Sequence, residues 1–205
     1  MNPLFVEKKL RKEGIRILTP LDFQRIFGVS RHATSWLLKN YSKKGVFEKI
    51  KNGLYILADD PPNPFLIANR LYEPSYISFD TALSYYGIVP ETIYSVTSAT
   101  IKATRQFEAR GILFTYQKIK KEAYMGYRPM KYEGETVLIA EPEKALADYL
   151  YFVDLKKREL SYERMNLSGV KKGKLYAYIK LFKRPGMIEI VESLYDLSGR
   201  SKRIG

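Results

Sequence analysis

Arg31, His32, Thr34, Ser35, Lys39, Lys43, Lys49, Lys51 and Asn52 crowd into one short stretch of the chain, in which Glu48 is the only acid. Each of these side chains donates hydrogen bonds or carries positive charge. An arginine fork pairs with two acceptors on guanine, and serine or threonine hydroxyls donate to or accept from bases and phosphates. Lysines neutralise phosphate, which positions a protein on a polyanion without reading its sequence. The chemistry suits a nucleic-acid surface. Arg31, His32, Thr34 and Ser35 are placed for base edges, while Lys39, Lys43, Lys44, Lys49 and Lys51 are placed for phosphates.

The elements that would hold this set are legible from their caps. Leu4 to Gly14 reads as a helix that stops at a glycine. Thr19-Pro20 supplies an N-cap and a proline at the first helical position, with Asp22 in the first turn and Gly28 at the end. Ser30 caps a second helix running to about Lys44 and ending at Gly45. On that helix Ala33, Trp36, Leu37 and Tyr41 are expected to face the core. Arg31, Ser35, Lys39 and Ser42 would face out, flanked by His32 and Thr34, with Leu38 at the edge of the polar face. Two apolar runs follow, 46–50 and 54–57, joined by Lys51-Asn52-Gly53, and an Asn-Gly pair between such runs signals a hairpin. Helix, turn, helix and basic-tipped hairpin form the layout of a winged helix-turn-helix, whose second helix enters the major groove. Lys51 and Asn52 at the tip would reach the minor groove or the adjacent backbone.

Charge agrees with that placement. The whole chain of 205 residues carries a net charge of +13. Residues 1–58 hold twelve basic and four acidic side chains, so most of the excess lies in little more than a quarter of the length. Concentrated charge of this kind is the footprint of a polyanion-binding module. With 45% hydrophobic residues the chain has ample material for a packed core. No run approaches the roughly 18 apolar residues of a membrane span, and the start is charged. A soluble, cytoplasmic protein that does not engage a membrane is expected.

Asp59-Asp60-Pro61-Pro62-Asn63-Pro64 marks a boundary, read as a linker or an abrupt turn. Beyond it, 65–71 and 79–86 read as helices, the second capped by Ser78 and closed by Gly87. Strands are expected at 94–98, 111–119, 123–127 and 136–139. A helix over 141–152 follows, with Ala145, Leu146, Tyr149 and Leu150 on one face, and further helices from Ser161 include 171–182 and 187–194. The fold class is thus α+β: a winged helix-turn-helix over 1–58, then a larger α+β domain over 59–205 with a central, mainly antiparallel sheet and C-terminal helices. Tyr76, Tyr85 and Tyr86 are expected to bury their rings. Tyr85 and Arg105 offer an alternative, second nucleic-acid surface.

Enzyme chemistry finds little support in the residues. Glu141, Glu143 and Asp148 are the carboxylates to test around a metal, but Glu143 and Lys144 are adjacent, and on a helix they point in different directions. No Gly-Ser turn precedes two acids one residue apart, and no phosphate-binding glycine loop occurs. One histidine and no cysteine leave too few ligands or bases for zinc or Cys/His catalysis. The expectation is a non-enzyme that needs no metal or cofactor.

The run Leu71-Tyr-Glu-Pro-Ser-Tyr-Ile-Ser78 is followed by Ala82-Leu-Ser-Tyr-Tyr-Gly-Ile-Val-Pro-Glu91, Val96-Thr97-Ser98 and Ile139-Ala-Glu-Pro-Glu-Lys-Ala-Leu-Ala-Asp148. Together with Gly53-Leu54-Tyr55-Ile56-Leu57, these segments resemble the antitoxin-type regulators of abortive-infection type IV toxin–antitoxin systems, the AbiEi-like family. The likeness covers roughly residues 20 to 155. It implies a winged helix that represses its own operon by binding a double-stranded DNA operator, and a C-terminal domain with antitoxin activity. It also implies a nucleotidyltransferase-like toxin as functional partner, counteracted without a stable complex. The alternatives are an orphan transcriptional regulator of the same architecture, or a module that binds RNA or an acidic protein without antitoxin activity.

Overall fold

A computed structural model describes residues 1–91, 94–160 and 165–201, and over them the chain is α+β, with eight α-helices and two sheets. Among these residues no helix is long and apolar enough to cross a membrane.

The first helix, α1 (Pro3–Lys12), starts where the Asn2 side chain accepts from the Leu4 amide. After β1 (Ile17–Leu18), helix α2 (Pro20–Phe27) opens with a reciprocal cap. The Thr19 hydroxyl accepts from the Asp22 amide at 3.2 Å, and the Asp22 carboxylate accepts from the Thr19 amide at 2.8 Å. It closes at Gly28, whose φ of 62° only glycine adopts without strain. Ser30 then caps α3 (Arg31–Lys43) through the Ala33 amide. Strands β2 (Phe47–Lys51) and β3 (Leu54–Leu57) form the expected hairpin, and with β1 they make an antiparallel sheet in the order β1-β3-β2. Gly53 takes a φ of 76° at the turn, and the register shifts between Lys49 and Lys51, on the strand that leads into it.

This small sheet is buried on both faces. Leu18, Phe47 and Leu57 pack with Val6, Leu10, Phe23, Leu37, Leu38 and Tyr41 of the helices. Ile17, Ile50, Leu54 and Ile56 join the core of the rest of the chain instead. The two-residue period of a strand sends alternate side chains to opposite faces, so each strand serves both cores. The segment 59–62 is an abrupt turn held by arginines. Arg11 pairs with Asp59 at 2.8 Å and with Asp60 at 2.7 Å, and Arg16 reaches Asp60 at 3.0 Å and the Pro61 carbonyl at 3.1 Å.

The larger unit runs α4 (Pro64–Leu71), β4 (Ser75–Ile77), α5 (Phe79–Tyr85), β5 (Val96–Thr100), β6 (Arg105–Ala109), β7 (Ile112–Lys118), β8 (Tyr127–Tyr132), β9 (Glu135–Ala140), α6 (Pro142–Asp154), α7 (Lys172–Lys180) and α8 (Gly186–Ser201). Its six-stranded sheet has the order β6-β7-β5-β4-β9-β8. The sheet is mixed. Pairs β6–β7, β4–β5 and β8–β9 are antiparallel, while β5–β7 and β4–β9 are parallel.

Several sequence expectations shift here. The strand expected over 123–127 is a short 3-10 turn, Lys121–Ala123, and pairing starts only at Tyr127. Pro129 disguised that strand; it is tolerated because β8 lies at the sheet edge. Ser78 does not cap α5, because its hydroxyl donates to Asp148 at 2.7 Å. Helix α6 is not one-sided. It lies against α5, α7 and α8, and Glu143, Lys144 and Asp148 are buried with its apolar residues. The expected onset of C-terminal helix at Ser161 lies outside the described residues.

Candidate nucleic-acid interface

Helix α3 is turned differently from its sequence reading. Thr34, Leu37, Leu38 and Tyr41 form the buried stripe, at the i, i+3, i+4, i+7 spacing of an amphipathic helix. Trp36 is 62% exposed. Two corrections follow. Trp36 is not a core residue, and Thr34 is not available to a base. Thr34 is fully buried and donates its hydroxyl to the Ser30 carbonyl at 2.9 Å. The leucines settle the phase. The expected stripe left Leu38 at the polar edge, whereas the observed one buries both leucines and leaves out the indole, which carries a polar N–H.

The outward face of α3 therefore presents Arg31, His32, Ser35, Trp36, Lys39 and Lys43, all exposed. Ser35 donates back to the Arg31 carbonyl at 3.1 Å, which leaves its oxygen free to accept. Among the described residues, Arg31, His32, Lys39, Lys43, Lys44 and Lys49 have no hydrogen-bond or ion-pair partner through their side chains. From Phe23 to Phe47 the chain contains five lysines and arginines and no carboxylate. Cations held together with no internal counter-ion raise the local potential and favour a polyanion.

The hairpin behaves less simply. Lys49 and Asn52 are exposed, but Lys51 is half-buried. The Lys51 ammonium donates to the Leu71 carbonyl at 2.8 Å and lies 5.1 Å from the Phe107 ring centroid. Lys51 is thus fastened to the larger unit and is no free phosphate contact. Glu48, the acid in the expected site, pairs with Arg110 on the same side. Next to the tip, Phe107 meets the Tyr72 ring at 5.9 Å, and Lys102 and Arg105 lie over that ring at 5.6 and 5.9 Å. The sequence does not show that Lys102, Tyr72 and Phe107 lie beside the hairpin tip, since that depends on how a distant segment folds against the hairpin.

Tyr85 and Arg105 do not form one surface. Tyr85 packs by Phe65 and Tyr132 at the β8 edge, whereas Arg105 lies in β6 at the other edge, roughly 24 Å away for six strands at ordinary spacing. Tyr85 is also surface-exposed rather than buried as expected; Tyr76 is fully buried, while Tyr86 is half-buried and donates its hydroxyl to the Ala140 carbonyl at 2.9 Å.

The carboxylates tested for metal chemistry each have another occupation. Glu141 accepts from the Tyr178 hydroxyl and pairs with Lys174 at 2.9 Å. Burial alone would raise its pKa, but these hydrogen bonds and charges outweigh burial and hold the carboxyl below its ordinary value. Glu143 accepts from the Lys171 amide at 3.1 Å. Asp148 is fully buried, paired with Lys144 and taking a 2.9 Å hydrogen bond from the Tyr76 hydroxyl. Burial pushes Asp148 up and Lys144 down, and their mutual attraction opposes both shifts. Among the described residues no three His, Asp or Glu side chains are grouped to hold a metal ion. Ser78, Tyr76, Lys144 and Asp148 come from two of the segments that carry the family resemblance, and they meet in the core as one buried network.

No family model and no curated protein matches the chain.

Proposed function

We propose that the chain is a DNA-binding transcriptional regulator, with a winged helix-turn-helix in residues 1–58 and α3 as its recognition helix. The observation that carries this reading is the outward face of α3. Arg31, His32, Ser35 and Lys39 stand exposed on one side of a capped helix, with the charged and imidazole groups unpartnered, in a stretch without a single carboxylate. A helix so equipped can place its N-terminal side chains against base edges in a major groove. Lys43, Lys44 and Lys49, with Asn52 at the tip, supply the flanking backbone contacts. Lys102 and Arg105, stacked on Tyr72 beside the hairpin tip, extend the same charge into the larger unit.

The second part of the proposal rests on the resemblance of residues 71–148 to AbiEi-like antitoxins. On that reading the chain represses its own operon, and the larger unit counteracts a nucleotidyltransferase-like toxin. The segments concerned form the buried core, so they support the fold of that unit rather than locate an antitoxin surface.

Fluorescence anisotropy tests the first part. At about 0.15 M salt, the duplex upstream of the chain's own coding sequence should bind far more tightly than a scrambled duplex of the same composition. Equal affinity for the two excludes specific repression. Tighter binding to single-stranded RNA would favour the RNA-binding alternative. Co-expression with the product of the adjacent gene tests the second part: growth arrest relieved by this chain supports an antitoxin, and unrelieved arrest rejects it.

A further inference from the structure

Trp36 is the only tryptophan in the chain, and it stands 62% exposed in the middle of α3. Its neighbours at helical spacing are His32 and Ala33 one turn before, and Lys39 and Asn40 one turn after. A large ring left in water amid donors and cations is a surface whose apolar area becomes useful only when a partner covers it. The charge around it narrows that partner. A second copy of this face would set Arg31, Lys39 and Lys43 against their own images, whereas a polyanion would be drawn to them.

We propose that Trp36 makes the apolar base contact of this protein, packing its indole against thymine C5-methyl groups in the major groove. The inference rests on the reading of α3 as a recognition helix. In the major groove the thymine C5-methyl is the one alkyl group on the base edges and offers far more apolar area than the C5–H of cytosine, so it is the partner a groove-bound indole gains most from covering. Insertion between base pairs is the alternative for an aromatic ring. It is disfavoured here because Trp36 is central in a thirteen-residue helix, flanked on its own face by His32 and Lys39, and wedging side chains act mainly from the minor groove. Arg31 and Ser35 would then read polar edges, and Trp36 would select for thymine next to them.

The experiment uses the full chain and duplexes recovered by repeated selection from a randomised pool. Failure to enrich any common motif would refute the DNA reading itself, and this inference with it. Given a motif, each thymine is replaced singly by deoxyuridine, which removes only the methyl. One or two replacements should weaken binding about fourfold, the worth of one buried methyl group. The same replacements should have no effect on Trp36→Ala, and Trp36→Phe should keep part of the sensitivity. A chain indifferent to every replacement, or a Trp36→Ala variant that keeps the full sensitivity, overturns the assignment. The natural chain gives an independent readout, since Trp36 alone reports its indole emission. That emission should shift to the blue or be quenched on the selected duplex but not on heparin, a polyanion without bases. An unchanged spectrum on the duplex, or an equal change on heparin, contradicts the contact.

Discussion

The Lys51 ammonium donates to the Leu71 carbonyl across 2.8 Å, joining the tip of the hairpin to the last residue of α4. Lys49, two residues earlier on the same strand, is exposed and unpartnered. The two lysines, alike in sequence, therefore do different work. One holds two units together, and the other adds charge to the surface.

That difference is measurable in salt. Lys49→Ala should weaken duplex binding and lower the slope of log affinity against log salt by about one. Lys51→Ala should leave the slope unchanged and lower folding stability by about 0.5–1.5 kcal/mol, as for a lost hydrogen bond. Salt titrations followed by urea unfolding separate the two outcomes. A reduced slope for Lys51→Ala would place its ammonium on the DNA.

Arg31 and Thr34 make a second contrast. Arg31→Ala should cost roughly 1–3 kcal/mol of binding to a specific duplex and much less to a scrambled one. Thr34→Val, which removes a buried hydroxyl bonded to Ser30, should leave that discrimination intact. Competition binding with the two duplexes checks both. Uniform loss for Arg31→Ala would make it a phosphate contact.

The core network sets a stability prediction. Asp148→Ala strands the buried Lys144 ammonium and should cost about 3–5 kcal/mol, whereas removing both charges in Lys144→Met/Asp148→Leu should recover much of that loss. Chemical denaturation of the single and double variants gives the comparison. A double variant no more stable than Asp148→Ala would show that hydrogen bonds from Tyr76 and Ser78, rather than the charge pair, carry the network.

Glu141 gives a pH dependence whose sign is fixed. Its folded pKa lies below the ordinary glutamate value of 4.5, so the unfolded chain takes up the proton first as pH falls. The stabilisation is complete above that ordinary value and is lost as pH drops through the folded one. Glu141→Gln should be less stable than the natural chain at pH 7, with the gap closing in acid. A gap that persists at low pH would mean that lost packing, not charge, is responsible.

How much of this was legible depended on range. Thr19-Pro20 with Asp22, Ser30 and the Asn52-Gly53 turn act within a few residues of themselves, and the helices and hairpin they bound formed as read. The expected phase of α3 set Trp36 with Ala33, Leu37 and Tyr41 against the core and left Leu38 at the polar edge, whereas burying Leu37 and Leu38 together gives the better stripe. Strand β1 has two residues and β4 three, too short for a period to show. The polar residues of β6, Arg105, Gln106 and Glu108, suit an edge strand and concealed it. Ser78 carried a cap signal that a distant carboxylate, Asp148, overrode. Lys51 looked like a free tip because Leu71 and Phe107 approach it only in the folded chain.

The central claim is that the exposed face of α3 carries the base contacts. Amide chemical-shift mapping of the labelled chain with its upstream duplex tests it most directly. The largest changes are expected at Arg31, His32, Ser35, Trp36 and Lys39, with smaller ones at Lys43, Lys49 and Asn52. Changes centred on α7 and α8, with α3 unmoved, would contradict it.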